Sequence, residues 1–388
     1  MIYDFDKLED RRDSDSIKWN LYDEDVLPMW VADMDFRSPE PVIRVLRERV
    51  EHGVFGYPGS VVDPPVRQLI VERMASLYDW HILPEDLVFL PGVVTGFNLA
   101  CHAFASARGG LLIQTPVYPP IVEAAERTGC SSQQMQLTRV KDGSYEVDWE
   151  LFESSIIRET RLFILNNPHN PVGKVFRREE LARVAEICLQ NGIVICSDEI
   201  HSDLIFEGHH HIPIASLDAE VADTTITLIA PSKTYNLAGL QCSMAIIQNA
   251  ELREQYLNAK KGLVGWVNLM GFTAGHAAYK YGGEWLTQLL KYLQENRDFL
   301  FEFVENDLPG ISMCKPGGTY LAWLDCRNAS LAENPHQFFL NKAKVAMNDG
   351  LTFGEGGEGF VRLNFGCPRS VLLESLKRMK NALTLNPG

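Results

Sequence analysis

Between about Leu87 and Met244, short and continuously apolar runs alternate with amphipathic stretches, and this rhythm restricts the possible folds more than any other feature of the chain. The runs are Leu111-Leu112-Ile113, Leu162-Phe163-Ile164-Leu165, Ile193-Val194-Ile195-Cys196 and Ile226-Thr227-Leu228-Ile229, and residues 178–191 are typical of the stretches between them. A strand without polar alternation has to be covered on both faces, and intervening amphipathic helices supply the cover. The rhythm therefore predicts an α/β unit, a mainly parallel sheet between helices, with any ligand beyond the carboxyl ends of its strands.

A chain of 388 residues exceeds the roughly 250–300 at which a single core stops growing, so two domains are expected. Ser38-Pro39 ahead of Val42, Ile43, Val45 and Leu46, with Gly53 after them, predicts a helix over 39–52 capped by Ser38. Residues 250–306 read as an almost continuous helix pattern. Beyond it, Ile311 to Met313, Thr319 to Leu324 and Phe360 to Phe365 alternate as strands with helices in a smaller α+β unit. The expected large domain is 45–284, and the small domain is 285–388 with 1–44 packed back onto it.

Charge and composition exclude several partners. A net charge of −15 opposes binding to duplex nucleic acid or an anionic membrane, both of which need a basic surface. No apolar run approaches the ~18 residues that span a bilayer. The first residues, Met1-Ile2-Tyr3-Asp4-Phe5-Asp6, do not resemble a signal peptide, so a cytoplasmic location is expected. Eight scattered cysteines without paired spacing read as reduced and mostly buried. Gly354-Glu355-Gly356-Gly357-Glu358-Gly359 precedes a strand, and its glutamates would repel a pyrophosphate, so it reads as a turn. His209-His210-His211 reads as an exposed loop, not a metal site, and no metal is expected. Asn328-Ala329-Ser330 would be a glycosylation sequon only in a secreted protein.

Four segments end apolar strands with polar residues and converge on one sheet edge: Thr115 to Tyr118, Asn166 to Gly173, Ser197 to His201, and Ser232-Lys233. Asp198 follows a strand too apolar to be anything but central. An unpaired carboxylate there costs several kcal/mol of desolvation, which calls for a cationic partner. Lys233 follows the apolar 226–230 run, and a desolvated amine has a lowered pKa and becomes a nucleophile.

Asn-Pro-His-Asn-Pro-Val-Gly at 167–173, Ser-Asp-Glu-Ile-His at 197–201 and Ser-Lys-Thr-Tyr-Asn-Leu-Ala-Gly-Leu at 232–240 occur in an order and at separations that resemble the fold-type I, class I/II aminotransferases. Trp30 to Phe36, Gly53 to Tyr57, the Asp198-Glu199-Ile200-His201 run and Val361 to Arg369 resemble the cystathionine β-lyase (C–S lyase) subfamily. The resemblance extends from about residue 3 to 386. It implies an aspartate-aminotransferase-like α/β fold and pyridoxal 5′-phosphate (PLP) as cofactor.

Carried over residue by residue, the resemblance makes Lys233 the Schiff-base lysine, Asp198 the partner of the pyridinium nitrogen, Asn170 the donor to the ring hydroxyl, and Tyr118 the stacked aromatic and a catalytic group. Gly92, Val93 and Val94 would cradle the phosphate where a helix begins at about Thr95, with Ser232 adding a hydroxyl and His201 a further cofactor contact. Arg362 would bind the substrate α-carboxylate, beside Asn170 and Ala32. Gln241 and Ala230 depart from the family pattern by replacing a phosphate-binding arginine and serine, so the cradle lacks a charge and a hydroxyl. Tyr57 matches a tyrosine that reaches the neighbouring subunit's phosphate, which implies a homodimer with shared sites.

The implied reaction is α,β-elimination from cystathionine or a related S-substituted cysteine, giving a thiol, pyruvate and ammonia. An aminotransferase on the same scaffold is the alternative reading. A third is a regulatory protein that keeps the fold and acts through a protein partner.

Overall fold

The computed structural model describes residues 2–58, 63–106 and 109–385. Its central sheet contains β1 (Leu87–Leu90), β2 (Gly110–Thr115), β3 (Ser131–Gln136), β4 (Thr160–Asn166), β5 (Val194–Asp198), β6 (Thr225–Ile229) and β7 (Ser243–Ile246). The spatial order is β1-β7-β6-β5-β4-β2-β3, and β7 alone runs antiparallel, to both of its neighbours.

Burial explains why the apolar runs became strands. Along β2, Leu111 and Ile113 join a core with Phe97, Leu162 and Ile164, while Leu112 points the other way to pack with Phe163, Phe176 and Ile195. Each run thus feeds two cores, one per sheet face, as a period of two requires.

The longer helices are α1 (Glu40–His52), α2 (Asp63–Tyr78), α3 (Val93–Ala100), α4 (Arg178–Gln190), α5 (Ala250–Lys260), α6 (Leu269–Tyr281), α7 (Gly283–Asp307) and α8 (Arg369–Leu385). In α4 the buried residues Leu181, Val184, Ala185 and Cys188 recur at helical spacing, giving the expected apolar stripe. The expected continuous helix over 250–306 is instead three helices, broken at 261–268 and at Gly282. A Cβ on Gly282 would lie 2.4 Å from the Ala278 carbonyl and 2.5 Å from the Tyr235 ring, so only glycine lets the chain pass there.

The helix expected at 39–52 forms as α1 and ends on Gly53 in the left-handed region, φ 72°. Ser38 does not cap it, because its hydroxyl donates to the Asn236 carbonyl at 3.1 Å, tying the helix entrance to the segment after Lys233.

A second, antiparallel sheet has the order β8 (Ser312–Met313), β9 (Leu321–Asp325), β11 (Phe360–Asn364), β10 (Asn348–Asp349). β9 begins at Leu321, later than the expected Thr319, whose backbone has φ 72°. The Gly354–Gly359 stretch turns through three glycines at positive φ and delivers the chain to β11.

The N-terminal segment lies against this second unit. Leu27–Pro28 pairs in parallel with Val345–Ala346, and the Asp35 amide donates to the Gly366 carbonyl at 2.9 Å. Phe5 stands edge-on to Trp285 at 5.7 Å and to Phe36 at 5.1 Å. No helix among the described residues is long and apolar enough to cross a membrane.

Candidate active site

Parallel register aligns the carboxyl ends of the central strands: Asn166 of β4 pairs with Asp198 of β5, and Asp198 with Leu228 of β6. A cavity of about 160 Å³ opens at this edge. Ala32, Tyr118, Asn170, Asp198, His201 and Lys233 line it. Gly92, Val93, Val94 and Ser232 line it as well, so segments far apart in sequence converge.

Asp198 is the last residue of β5 and is 3% exposed. One oxygen accepts a hydrogen bond from the Ile200 amide at 3.2 Å. Burial pushes its pKa up to about 7, against the opposing pull of that amide and of Lys233. The expected cationic partner is absent: among the described residues no lysine, arginine or histidine forms an ion pair with it.

Lys233 sits on a one-turn helix, Pro231–Thr234, and not at the end of a strand as expected, because β6 stops at Ile229. Its Nζ donates to the Ala32 carbonyl at 2.6 Å. Burial brings the amine down to about 8, helped by Arg362 and opposed by Asp33 and Asp198. Ala32 therefore meets the lysine through its carbonyl.

Arg362, on β11, is 3% exposed. Its guanidinium donates to Asn170 Oδ1 at 3.0 Å, to the Trp30 carbonyl at 3.0 Å and to Asn348 Oδ1 at 2.7 Å, and it stacks over Phe353 at 5.1 Å. Among the described residues it pairs with no carboxylate, and its Nε has no partner. Burial lowers its pKa to about 10. Asn170 is held in turn by its amide, which donates to Asn166 Oδ1 at 2.7 Å.

Tyr118 precedes the Pro119–Val122 turn, and burial raises its hydroxyl pKa. His201 is 2% exposed. Burial, with the positive charges of Lys233 and Arg362, holds its pKa well below the ordinary value, so the ring is neutral. Gly92 is the residue before α3, which begins at Val93, two residues earlier than the expected Thr95. The free amides of its first turn thus belong to Val93, Val94 and Thr95. Gln241 lines the cavity, while Ala230 is buried next to the Lys233 turn.

Tyr57 is not brought to this cavity within one chain. It is 93% exposed and stands edge-on to Trp266 at 6.1 Å. Phe55, Trp266 and Leu269 line the same open groove of about 780 Å³.

The exposed-loop reading of His209-His210-His211 needs correction at its last residue. His211 is buried, and its Nε2 lies 2.8 Å from Oε2 of Glu199, the residue that follows Asp198. Its two predecessors are exposed.

Sequence reasoning missed Asn348 and Tyr320. Asn348 faces Arg362 across the β10–β11 pairing, and Tyr320 donates to the Ala32 carbonyl at 2.8 Å. The nearest usable signal was the position of Tyr320 at the entrance to an apolar strand, where a buried phenol needs a partner.

The sequence model of the family described as aminotransferase class I and II matches residues 24–379. Cystathionine beta-lyase PatB of Bacillus subtilis is 41% identical over 388 residues, covering 98% of this chain and 100% of that protein. Among solved structures, cystalysin from Treponema denticola, which contains a pyridoxal 5′-phosphate cofactor, has a TM-score of 0.94 at 33% identity, covering 99% of each chain. The PLP-bound C–S lyase from Staphylococcus hominis has a TM-score of 0.93 at 33% identity, covering 100% of each chain. The architecture is accordingly the aspartate-aminotransferase-like fold. The chain belongs to the class I and II aminotransferase family and, within it, to the group of the cystathionine β-lyases.

Proposed function

We propose that this protein is a PLP-dependent β-C–S lyase that cleaves cystathionine or a related S-substituted cysteine, with uptake of one water, to a thiol, pyruvate and ammonia. The observation that carries this reading is a pair of opposite charges left without ionic partners among the described residues: the buried carboxylate of Asp198, which lines the cavity, and the buried guanidinium of Arg362, which donates to the cavity-lining Asn170. Arg362 would pair with the carboxylate of an α-amino acid, and Asp198 with the protonated ring nitrogen of PLP. The half-buried amine of Lys233 lies in the same cavity, available for the aldehyde.

Bound there, PLP supplies an electron sink for the charge that develops at the substrate Cα. Asp198 would favour a protonated ring nitrogen, because a buried carboxylate without an ionic partner stabilises a cation beside it. Arg362 orients the substrate by its carboxylate, a task suited to a planar fork that can pair two oxygens. Asn170 couples the two ends, since it lines the cavity and accepts a hydrogen bond from Arg362. Lys233 Nζ, with its pKa brought toward neutrality, takes the Cα proton. Tyr118, the first turn of α3, Ser232 and His201 line the same cavity and would hold the ring and phosphate of the cofactor.

Tyr57 supplies its hydroxyl to the phosphate of a second subunit, so the working form is a homodimer with shared sites. The exposure of Tyr57 beside an apolar groove supports this, as does the absence of an arginine at Gln241. The large domain is 45–284, and 1–44 with 285–388 form the small domain; Met1 and residues 386–388 lie outside the described residues, and α1 bridges the first limit. The cysteines, none paired among the described residues and six of them buried, support a reducing, cytoplasmic setting.

The test is to supply cystathionine or cysteine, with and without a keto acid, and identify the products. Pyruvate, ammonia and a thiol without added keto acid are expected. Turnover only with a keto acid, forming a new amino acid, would make the protein an aminotransferase.

A further inference from the structure

The Ala32 carbonyl has two donors. Lys233 Nζ lies 2.6 Å away and the Tyr320 hydroxyl 2.8 Å away. Tyr320 is fully buried, and burial holds its pKa well above the ordinary value, so the hydroxyl is a permanent donor. Its ring edge meets the neutral imidazole of His201 at 5.9 Å.

The hydroxyl is not needed to hold the backbone around Ala32. Arg362 binds the Trp30 carbonyl at 3.0 Å, and Asn364 Nδ2 binds the carbonyls of Val31 and Asp33 at 2.5 and 2.7 Å. Lys18 adds a bond to the Asp33 carbonyl at 3.1 Å, and Asn236 clamps Met34 and Phe36. A phenylalanine would fill the same buried space without a polar group to satisfy. What the hydroxyl changes is the acceptor strength of one oxygen, the one on which the lysine amine rests.

We infer that Tyr320 is a positioning residue for the reaction: by donating to the Ala32 carbonyl it takes up part of that oxygen's accepting capacity, weakens its hold on the Lys233 ammonium, and favours the neutral amine that acts as base. This rests on the lyase reading, in which Lys233 takes the Cα proton. A carbonyl favours the ammonium because charge-assisted hydrogen bonds are stronger than neutral ones. Donors sharing one acceptor weaken each other, the converse of the cooperative strengthening in hydrogen-bond chains. Arg362, Asp33 and Asp198 also act on the charge of the amine, and His201 feels that charge in turn; Tyr320→Phe leaves all four residues in place.

The test is Tyr320→Phe in the full chain, read in two ways. In cofactor-free protein, the rate of reductive methylation at Lys233 is followed against pH by peptide mass spectrometry. In the PLP-loaded enzyme, the acidic limb of kcat is followed with cystathionine. Both midpoints should move to higher pH by roughly a few tenths of a unit, the size of a 10–30% change in a charge-assisted hydrogen bond. Midpoints that stay put or move down would overturn the inference. The methylation arm does not depend on the cofactor, so its failure overturns the role of Tyr320 alone. Visible cofactor absorbance persisting in Lys233→Ala would instead overturn the lyase reading.

Discussion

Replacing Arg362 by lysine isolates the part of the site that recognises an amino acid. The wild-type guanidinium makes hydrogen bonds of 3.0, 3.0 and 2.7 Å to Asn170, Trp30 and Asn348, and its Nε is left without a partner. A lysine ammonium keeps the charge but cannot span these acceptors and a carboxylate together, because its three donors radiate from one atom. Losing one charge-assisted hydrogen bond to the substrate costs about 1.5–3 kcal/mol. That corresponds to a KM rise of roughly 10- to 100-fold at 1.4 kcal/mol per tenfold. The change should fall mainly on KM, since the contact is made before and during the chemical step alike. Steady-state kinetics with cystathionine and with cysteine, in enzyme saturated with PLP, measures it directly. An unchanged KM for every amino acid tried would remove Arg362 from the substrate site and with it one of the two charges on which the proposed function rests.

Asp198→Asn should bind PLP yet lose most activity, as the neutral amide no longer favours a protonated ring nitrogen; wild-type turnover would refute that role. The same variant predicts a pH effect in cofactor-free protein. A carboxyl held near 7 instead of 3.8 destabilises the folded state as pH rises. The penalty is absent below about pH 4, grows from there, and reaches about 4 kcal/mol above pH 7 at roughly 1.4 kcal/mol per pH unit. Urea unfolding should therefore find Asp198→Asn more stable than wild type at pH 8, with the gap closing toward pH 4; a pH-independent gap would contradict the burial argument. Tyr57→Phe should weaken PLP retention without unfolding the protein. Mixing it with Lys233→Ala protomers at low free PLP should restore activity, since one site of the heterodimer is intact; demonstrated subunit exchange without recovery would exclude sharing through Tyr57.

Strands β2, β4, β5 and β6 were legible because they are buried on both faces, and such strands write their positions as unbroken apolar runs, whereas the edge strand β3 is polar and largely exposed and leaves no such run. Asp198, at the end of β5, and Lys233, on the turn that follows β6, were legible for the same reason, since both stand out against apolar surroundings. Helix starts and breaks were less so. Ser38 has the chemistry of a cap, yet a carbonyl 198 residues away in sequence takes its hydroxyl, and the break at Gly282 depends on a ring from Tyr235. The burial of His211 was not legible, because the acid it meets, Glu199, lies 12 residues earlier just past the end of β5, and nothing in a run of three histidines says which one turns inward. The contacts of Asn348 and Tyr320 depend on strand pairing and on a backbone carbonyl, neither of which leaves a trace in residue type. The roles given to Asn170, His201 and Tyr57 came from family resemblance, and the cavity gathers the first two while leaving Tyr57 on the surface.

Lys233 is the residue proposed to carry the cofactor, and borohydride reduction of the PLP-loaded protein followed by peptide mapping tests this most directly. Reduction fixes the cofactor to whichever amine holds it, independently of substrate, assay or oligomeric state. A single pyridoxyl-modified peptide with the label on Lys233 is predicted, together with loss of the visible absorbance in Lys233→Ala. A label on any other lysine, or unlabelled Lys233 in protein that remains yellow before reduction, would contradict it.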